Sequence, residues 1–231
     1  MFKILLIEDD RDINFILREI LSHEGYEVLS AKDGVQGLEL YREERESISL
    51  VLLDLMLPGL MGEDIIRIIR EESTVPIIAI TGKASLEDKI EVLSLGCDDY
   101  MVKPFACEEV LARVKAQIRR HYHYDQKTPQ PEVTEYSFGE LLLSTNEHRV
   151  TFRGEIVHLT QTQFALLKTI LAQPTQVFSR DQLYRAIWGE EALLDDNSIN
   201  VHMSNLRRKL QEVAGRDLIE TVWGIGYRLK R

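Results

Sequence analysis

The chain has 231 residues, is 44% hydrophobic and carries a formal charge of −10. That length accommodates one large domain or two of ordinary size, and the hydrophobic share is enough for a buried core. Two cysteines, Cys97 and Cys107, make neither a disulfide framework nor a zinc site. Asp54 and Pro58 interrupt the longest apolar run before it reaches membrane-spanning length, and no signal-peptide pattern opens the chain.

Ile4-Leu5-Leu6-Ile7 reads as a first strand and ends in Glu8-Asp9-Asp10. A helix follows, predicted to turn Ile13, Ile16, Leu17, Ile20 and Leu21 to one face. Ser49-Leu50-Val51-Leu52-Leu53-Asp54 is apolar enough for a strand buried on both faces, and it ends in a carboxylate before a Pro58-Gly59 break. Val75 to Ile80 ends in Thr81-Gly82, and Asp98 to Val102 ends in Lys103-Pro104-Phe105. Strands alternating with helices imply a parallel sheet with helices on both sides. At the carboxyl ends of its strands lies the crevice where such sheets bind ligands. Four strand ends therefore bring carboxylates, a hydroxyl and an ammonium to one edge. Clustered carboxylates repel one another unless a hard cation neutralises them, and Mg²⁺ prefers oxygen ligands.

The next amphipathic helix spans Glu108 to Arg120, with Val110, Leu111, Val114 and Ile118 recurring at helical spacing. Residues 121–135 are predicted to be a linker, polar and broken by Pro129 and Pro131. Its His121-Tyr122-His123-Tyr124 repeat reads as polar decoration rather than a metal site. The charge divides unevenly. Residues 1–120 hold 15 Lys and Arg against 24 Asp and Glu, whereas residues 197–231 hold 7 against 3. An acidic whole thus contains a locally basic end.

Residues 136–231 read as a second domain. Phe138 to Phe152 is strand-rich; Thr160 and Ser179 are cap residues for two helices; a third helix runs from about Asn197 to Val213. Ile219 to Leu229 forms two strands hinged at glycines. Three helices and a hairpin make a winged helix-turn-helix, a DNA-binding architecture. In the third helix, Ile199, Met203, Leu206, Leu210 and Val213 form one apolar stripe. Asn197, Val201, Ser204 and Arg208 are predicted on the opposite face, with Asn205 beside them and Arg207 flanking the stripe. Asn pairs with adenine and an apolar side chain meets the thymine methyl, while arginines hold phosphates. The same pattern also fits a plain amphipathic surface helix.

Residues 1–120 resemble the receiver domain of two-component response regulators, and residues 136–231 resemble the output domain of the OmpR/PhoB family. The second match rests on Ser198 to Leu210 and on Thr221-Val222-Trp223-Gly224-Ile225-Gly226-Tyr227-Arg228. The resemblance implies a five-stranded flavodoxin-like receiver followed by a winged-helix domain. It implies Asp54 as phospho-acceptor, and Mg²⁺ held by Asp9, Asp54, the Met56 carbonyl and, through water, Glu8. Lys103 and Thr81 would bind the phosphoryl oxygens, and Thr81 with Tyr100 would form the switch. It places Val201 and Asn205 among base-facing residues, Ser198, Arg207 and Arg208 on the DNA backbone, and Trp223 on a wing in the minor groove. Dimerisation on phosphorylation would use Lys89–Glu109, Asp99–Arg113 and Asp98–Arg120 pairs around Ile90, Leu93 and Val110. The implied partners are a sensor histidine kinase, double-stranded DNA with tandem half-sites and RNA polymerase, the last touched by the acidic segment Glu190 to Asp196. The protein would be a cytoplasmic regulator with no membrane partner. Two other readings stay open: a phosphatase with Asp54 as nucleophile, disfavoured by Met56 where a second carboxylate is usual, and a regulator that binds DNA constitutively.

Overall fold

The computed structural model describes residues 1–83, 85–122, 134–189 and 196–230, without the side chains of 86, 120–122, 196 and 197. Contacts divide the chain into two compact units, Met1–His121 and Tyr122–Arg231.

The first unit alternates strand and helix: β1 (Lys3–Ile7), α1 (Arg11–His23), β2 (Glu27–Ala31), α2 (Gly34–Glu44), β3 (Ile48–Asp54), α3 (Gly62–Glu72), β4 (Ile77–Thr81), α4 (Leu86–Ser94), β5 (Asp99–Val102) and α5 (Cys107–Tyr122). The strands are parallel in the order β2-β1-β3-β4-β5. From β1 the sheet grows one way to β2 and the other way through β3, so the strand order reverses between β1 and β3. Glu8 follows one of these strands and Asp54 ends the other. All seven positions of β3 are buried, as its apolar run requires of a strand covered on both faces.

Alternation sorts the strand residues into two layers. Ile4, Leu6, Leu50, Leu52, Ile78 and Ile80 pack with Leu17 and Leu21 of α1 and with Val110, Val114 and Ile118 of α5. Ile13 and Ile20 flank this core, but Ile16 does not join it and is 47% exposed. At 3.6 residues per turn Ile16 lies roughly 100° around the helix from Leu17, and Asn14 takes the place beside the stripe. Helix α5 continues through Tyr122, two residues into the expected linker. His121 and Tyr122 are polar enough to read as linker but do not break a helix, and the first proline comes only at 129. The rest of the His-Tyr repeat and residues 123–133 lie outside the described residues.

The second unit opens with an antiparallel sheet in the order β6-β7-β8-β9: β6 (Glu135–Phe138), β7 (Leu141–Ser144), β8 (Arg149–Phe152) and β9 (Glu155–Ile156). Three helices follow, α6 (Gln161–Ala172), α7 (Arg180–Trp188) and α8 (Asp196–Ala214), and then a hairpin of β10 (Ile219–Val222) and β11 (Gly226–Leu229). Thr160 and Ser179 cap α6 and α7 reciprocally with Gln163 and Gln182, satisfying helix-end N–H groups. One core joins sheet and helices through Leu141, Phe164, Leu167, Leu183, Trp188 and the predicted α8 stripe, with Val213 at its edge. The hairpin is tied to the α6–α7 connection by paired backbone bonds between Phe178 and Tyr227, both 2.9 Å. A Cβ on Gly226 would sit 1.9 Å from the Phe178 carbonyl oxygen, so only glycine lets the strand pass there.

Candidate functional site

The acidic pocket forms where β1 and β3 end. Glu8 is fully buried and Asp54 is 3% exposed, while Asp9 is open to solvent. Carboxylate oxygens from these three residues lie within 4.8 Å of one another. Lys103 arrives after β5 and donates to both buried acids, at 2.5 Å to Asp54 Oδ2 and 2.8 Å to Glu8 Oε1. One ammonium thus faces three carboxyl groups. Burial pushes the Glu8 carboxyl up to about 7, with the Lys103 bond opposing and the Asp54 charge adding to the rise. Burial would lower the Lys103 pKa, but its bonds to Asp54 and Glu8 outweigh that and raise it. Glu8 Oε2 is buried without a hydrogen-bond partner. A hard cation fits this donor set, because it would neutralise the excess charge and engage that buried oxygen.

Several residues hold the pocket in shape. Asp54 Oδ1 accepts from the Met56 N–H at 2.9 Å, which fixes the turn after β3 and sets Met56 at the rim. A Cβ on Gly62 would lie 2.6 Å from the Asp54 carbonyl oxygen, so α3 starts hard against the backbone of Asp54. Asp10 caps α1 by accepting from Asp12 and Ile13, and those bonds lower its pKa and engage it with the helix. Thr81 ends β4 at 2% exposure, and its hydroxyl oxygen accepts from the Lys83 N–H, leaving its proton available to donate. The Lys103 N–H donates to the Thr81 carbonyl at 2.8 Å, linking the two strand ends.

Asn14 is a positioning residue that the sequence reading missed. Its amide nitrogen donates to the Glu8 and Ala31 carbonyls at 2.9 and 3.1 Å, and its oxygen accepts from Ser30 at 2.7 Å. It therefore clamps the ends of β1 and β2 beside Glu8. A lone amide within the apolar stripe of α1 was the available signal.

The expected dimer residues divide. Asp98 is fully buried, accepting from Arg70 at 2.8 Å and from the Ile77 N–H at 3.1 Å. It cannot serve the surface pair with Arg120 assigned to it, because Arg70 reaches it first from within the fold. Asp99 is 2% exposed and takes both oxygens to Arg113 of the same chain, at 2.8 and 2.9 Å. Arg113 also donates to Glu109. Leu93 and Val110 are buried core residues rather than surface contacts; Ile90 stays 41% exposed. Lys89 lies over the ring of Tyr100, 5.0 Å from its centroid, and Tyr100 is already 5% exposed. The Arg120 side chain lies outside the described residues.

On α8, Ser204 and Arg208 face solvent, with Asn205 and Arg207 half-buried. Val201 and Ser198 are 8% and 3% exposed. The opposite-face reading of Val201 is therefore corrected: the amino-terminal half of α8, from Ser198 to Met203, is buried except at Asn200, and only the following turns are amphipathic. Arg207 donates to Thr221 of β10 at 3.2 Å, and the Tyr227 hydroxyl donates to Asn200 at 3.0 Å, so the hairpin is fastened along the helix. Trp223 stands at the hairpin tip, 90% exposed. The Asn197 side chain and residues 190–195, the expected polymerase loop, lie outside the described residues.

Comparison with known proteins agrees with both halves. Residues 4–115 match the response regulator receiver domain, and residues 154–229 match the transcriptional regulatory protein C-terminal domain. The chain is 38% identical to the DNA-binding response regulator MtrA of Mycolicibacterium smegmatis, over 98% of this chain and 96% of that one. It is 37% identical to the response regulator ArlR of Staphylococcus saprophyticus, over 98% of each. Among solved structures it resembles a RitR mutant, with TM-score 0.80, 25% identity and full coverage of both chains. It also resembles DrrB of Thermotoga maritima, an OmpR/PhoB homolog, with TM-score 0.50, 27% identity and full coverage of both.

Proposed function

The chain belongs to the two-component response regulators that join a receiver domain to an OmpR/PhoB-type transcriptional regulatory domain, and from that membership we propose that phosphorylation of Asp54 controls its binding to DNA. The observation that carries this reading is the pocket: a buried carboxylate at a strand end, bonded to Lys103, with Glu8 and Asp9 beside it. A phosphohistidine on a sensor histidine kinase is the donor. An Asp54 oxygen attacks phosphorus, an O–P bond forms, the N–P bond breaks, and the imidazole leaves.

Lys103 offsets charge gathering on the phosphoryl oxygens, and the Thr81 hydroxyl donates to one of them. Glu8, Asp9, Asp54 and the Met56 carbonyl would hold Mg²⁺, which supplies further charge neutralisation when bound. The Met56 amide orients the attacking carboxylate through Oδ1. Lys103 meanwhile exchanges the Asp54 carboxylate for the phosphoryl oxygens as Asp54 becomes an acyl phosphate, and Thr81 and Tyr100 rearrange as the switch. No second carboxylate stands at Met56, which favours a stoichiometric switch over a turning-over phosphatase.

The phosphorylated receiver pairs with a second copy, placing two output domains on tandem half-sites of duplex DNA. Ser204, Asn205 and Arg208 meet the DNA from α8, and contact with RNA polymerase gives the transcriptional readout. Among the described residues no helix is long and apolar enough to cross a membrane, and the site of action is the cytoplasm, where the DNA is. The test is duplex binding with and without acetyl phosphate and Mg²⁺. Phosphodonor should tighten binding by the wild type and leave Asp54→Ala unchanged; equal binding under all four conditions would reject phosphorylation control.

A further inference from the structure

Of the chain's five methionines, Met101 and Met203 are buried, whereas Met56 is 56% exposed at the rim of the acidic pocket. The Met56 N–H holds Asp54 Oδ1 at 2.9 Å, so the residue cannot leave the rim without releasing that carboxylate oxygen. Its side chain reaches from the end of β3 toward the end of β4. The thioether sulfur lies 3.9 Å from where a Cβ on Gly82 would stand. Gly82 separates Thr81 from Lys83. The Thr81 hydroxyl oxygen accepts from the Lys83 N–H at 3.0 Å, and the Lys83 ammonium lies 3.7 Å from Glu63 of α3. An ion pair that long and that open holds its lysine loosely.

A thioether is apolar and accepts hydrogen bonds only weakly. As it stands, Met56 covers this side of the pocket without competing for the Thr81 proton. Oxidation reverses that character. A hydroperoxide such as hydrogen peroxide delivers one oxygen to Sδ: an S–O bond forms, the O–O bond breaks, two electrons pass from sulfur to the oxidant, and the rest of the peroxide leaves as water. The sulfoxide is polar, and its acceptor oxygen stands over Gly82, one residue from the Thr81 hydroxyl on one side and from Lys83 on the other.

We propose that Met56 is a peroxide-sensitive modification site whose sulfoxide shortens the life of the acyl phosphate on Asp54. The inference rests on the phosphorylation reading above. The sulfoxide oxygen draws the Thr81 proton away from the phosphoryl oxygens, and it admits water to a rim that was apolar, where water exclusion protects a reactive intermediate. Water then bonds to phosphorus through its oxygen, the Asp54 O–P bond breaks, and dihydrogen phosphate leaves with both water protons. Oxidant and phosphodonor thus act on one pocket with opposite sign. Met61, 45% exposed at the N-cap of α3, is the control for exposure alone.

The test uses the full-length chain. Wild type, Met56→Leu and Met61→Leu are treated with hydrogen peroxide in chelator, freed of it and peptide-mapped. A gain of about 16 Da, one oxygen, should come at Met56 and Met61 well before Met101 and Met203. Each protein, with and without peroxide treatment, is then labelled with acetyl phosphate and Mg²⁺, and loss of the label is followed by intact mass once the donor is removed. Peroxide should speed that loss about fivefold in the wild type and in Met61→Leu, the change expected for one diverted hydrogen bond. In Met56→Leu, peroxide should leave that variant's own rate where it was. Methionine sulfoxide reductase with a thiol should restore the wild-type rate. Amide exchange should stay slow across the β1–β5 sheet of the oxidised wild type; a rise there makes the effect one of unfolding and overturns the proposal. Label loss unchanged by a sulfoxide mapped to Met56, equal acceleration in Met56→Leu, or oxidation of Met56 no sooner than of Met101 also overturns it, while the phosphorylation reading stands. An untreated wild type that takes no label overturns both.

Discussion

Replacing Glu8 by glutamine changes the pocket's charge and leaves its shape almost intact. In the native chain Glu8 is fully buried, one oxygen on Lys103 and the other without a partner. Folding raises its carboxyl from 4.5 to about 7, a displacement worth about 3 kcal/mol. The folded pKa lies above the unfolded one, so between those values the native state binds more protons. Stability from this group therefore falls as pH rises through that window, and the full penalty is present above about pH 7. Glutamine removes the titration and stands in for the neutral carboxyl, and the pull of Lys103 on the ionised form is already counted in that displacement. In chelator at pH 8 the receiver of Glu8→Gln should be more stable than wild type by on the order of 2–3 kcal/mol. At pH 5 most of the advantage should be gone. Saturating Mg²⁺ should stabilise the wild type more than the variant, because a ligand of the native state adds stability in proportion to its affinity. Scanning calorimetry on the whole chain from pH 5 to 8 gives the measurement. Both tryptophans lie in the second unit, so a fluorescence-detected transition that does not move serves as the internal control. A variant that is less stable than wild type at pH 8, or a difference that does not depend on pH, would refute the reasoning.

Arg70→Met should cost about 3–5 kcal/mol by taking the guanidinium away from the buried Asp98 carboxylate; exposed Arg67→Met, which breaks the surface pair with Asp64, should cost under about 1 kcal/mol. Urea denaturation of both variants checks the contrast, and equal costs would contradict it. Asn14→Ala removes three hydrogen bonds beside Glu8 and should destabilise by about 2–3 kcal/mol, with weakened Mg²⁺ binding by calorimetric titration. Gly226→Ala should disrupt the second unit alone, since its Cβ would strike the Phe178 carbonyl; amide exchange should rise in the hairpin and the α6–α7 connection while the β1–β5 sheet stays protected.

The receiver sheet was legible because buried parallel strands are written as continuous apolar runs, and its functional residues stand immediately after them. Glu8, Asp54, Thr81 and Lys103 could be placed on one edge from strand ends alone. The apolar stripe of α8 and the caps Thr160 and Ser179 were legible for the same reason, since periodicity and capping are local. What failed was non-local. Asp98 looked like a surface acid because nothing near it in sequence reveals that Arg70 of α3 reaches it, and the Asp99–Arg113 pair, expected between two copies, is present within one chain. Leu93 and Val110 read as a patch for a partner, yet the fold buries both. Val201 was set outside by helical angle, but the first turns of α8 are enclosed on more than the stripe side. Asn14 and Gly62 act through backbone groups of other elements; the spacing of α1 marks Asn14 as a lone amide at its apolar stripe but does not say which carbonyls it reaches.

Transfer of one phosphoryl group to Asp54 tests the central claim most directly. Wild type and Asp54→Ala are incubated with Mg²⁺ and the kinase-derived or small-molecule phosphodonor that labels the wild type best, then weighed intact and peptide-mapped. The account predicts a gain of about 80 Da in the wild type, mapped to Asp54, lost on chelation of Mg²⁺ before the reaction and absent from the variant. A phosphoryl group on another residue, or equal labelling of both proteins, would contradict it.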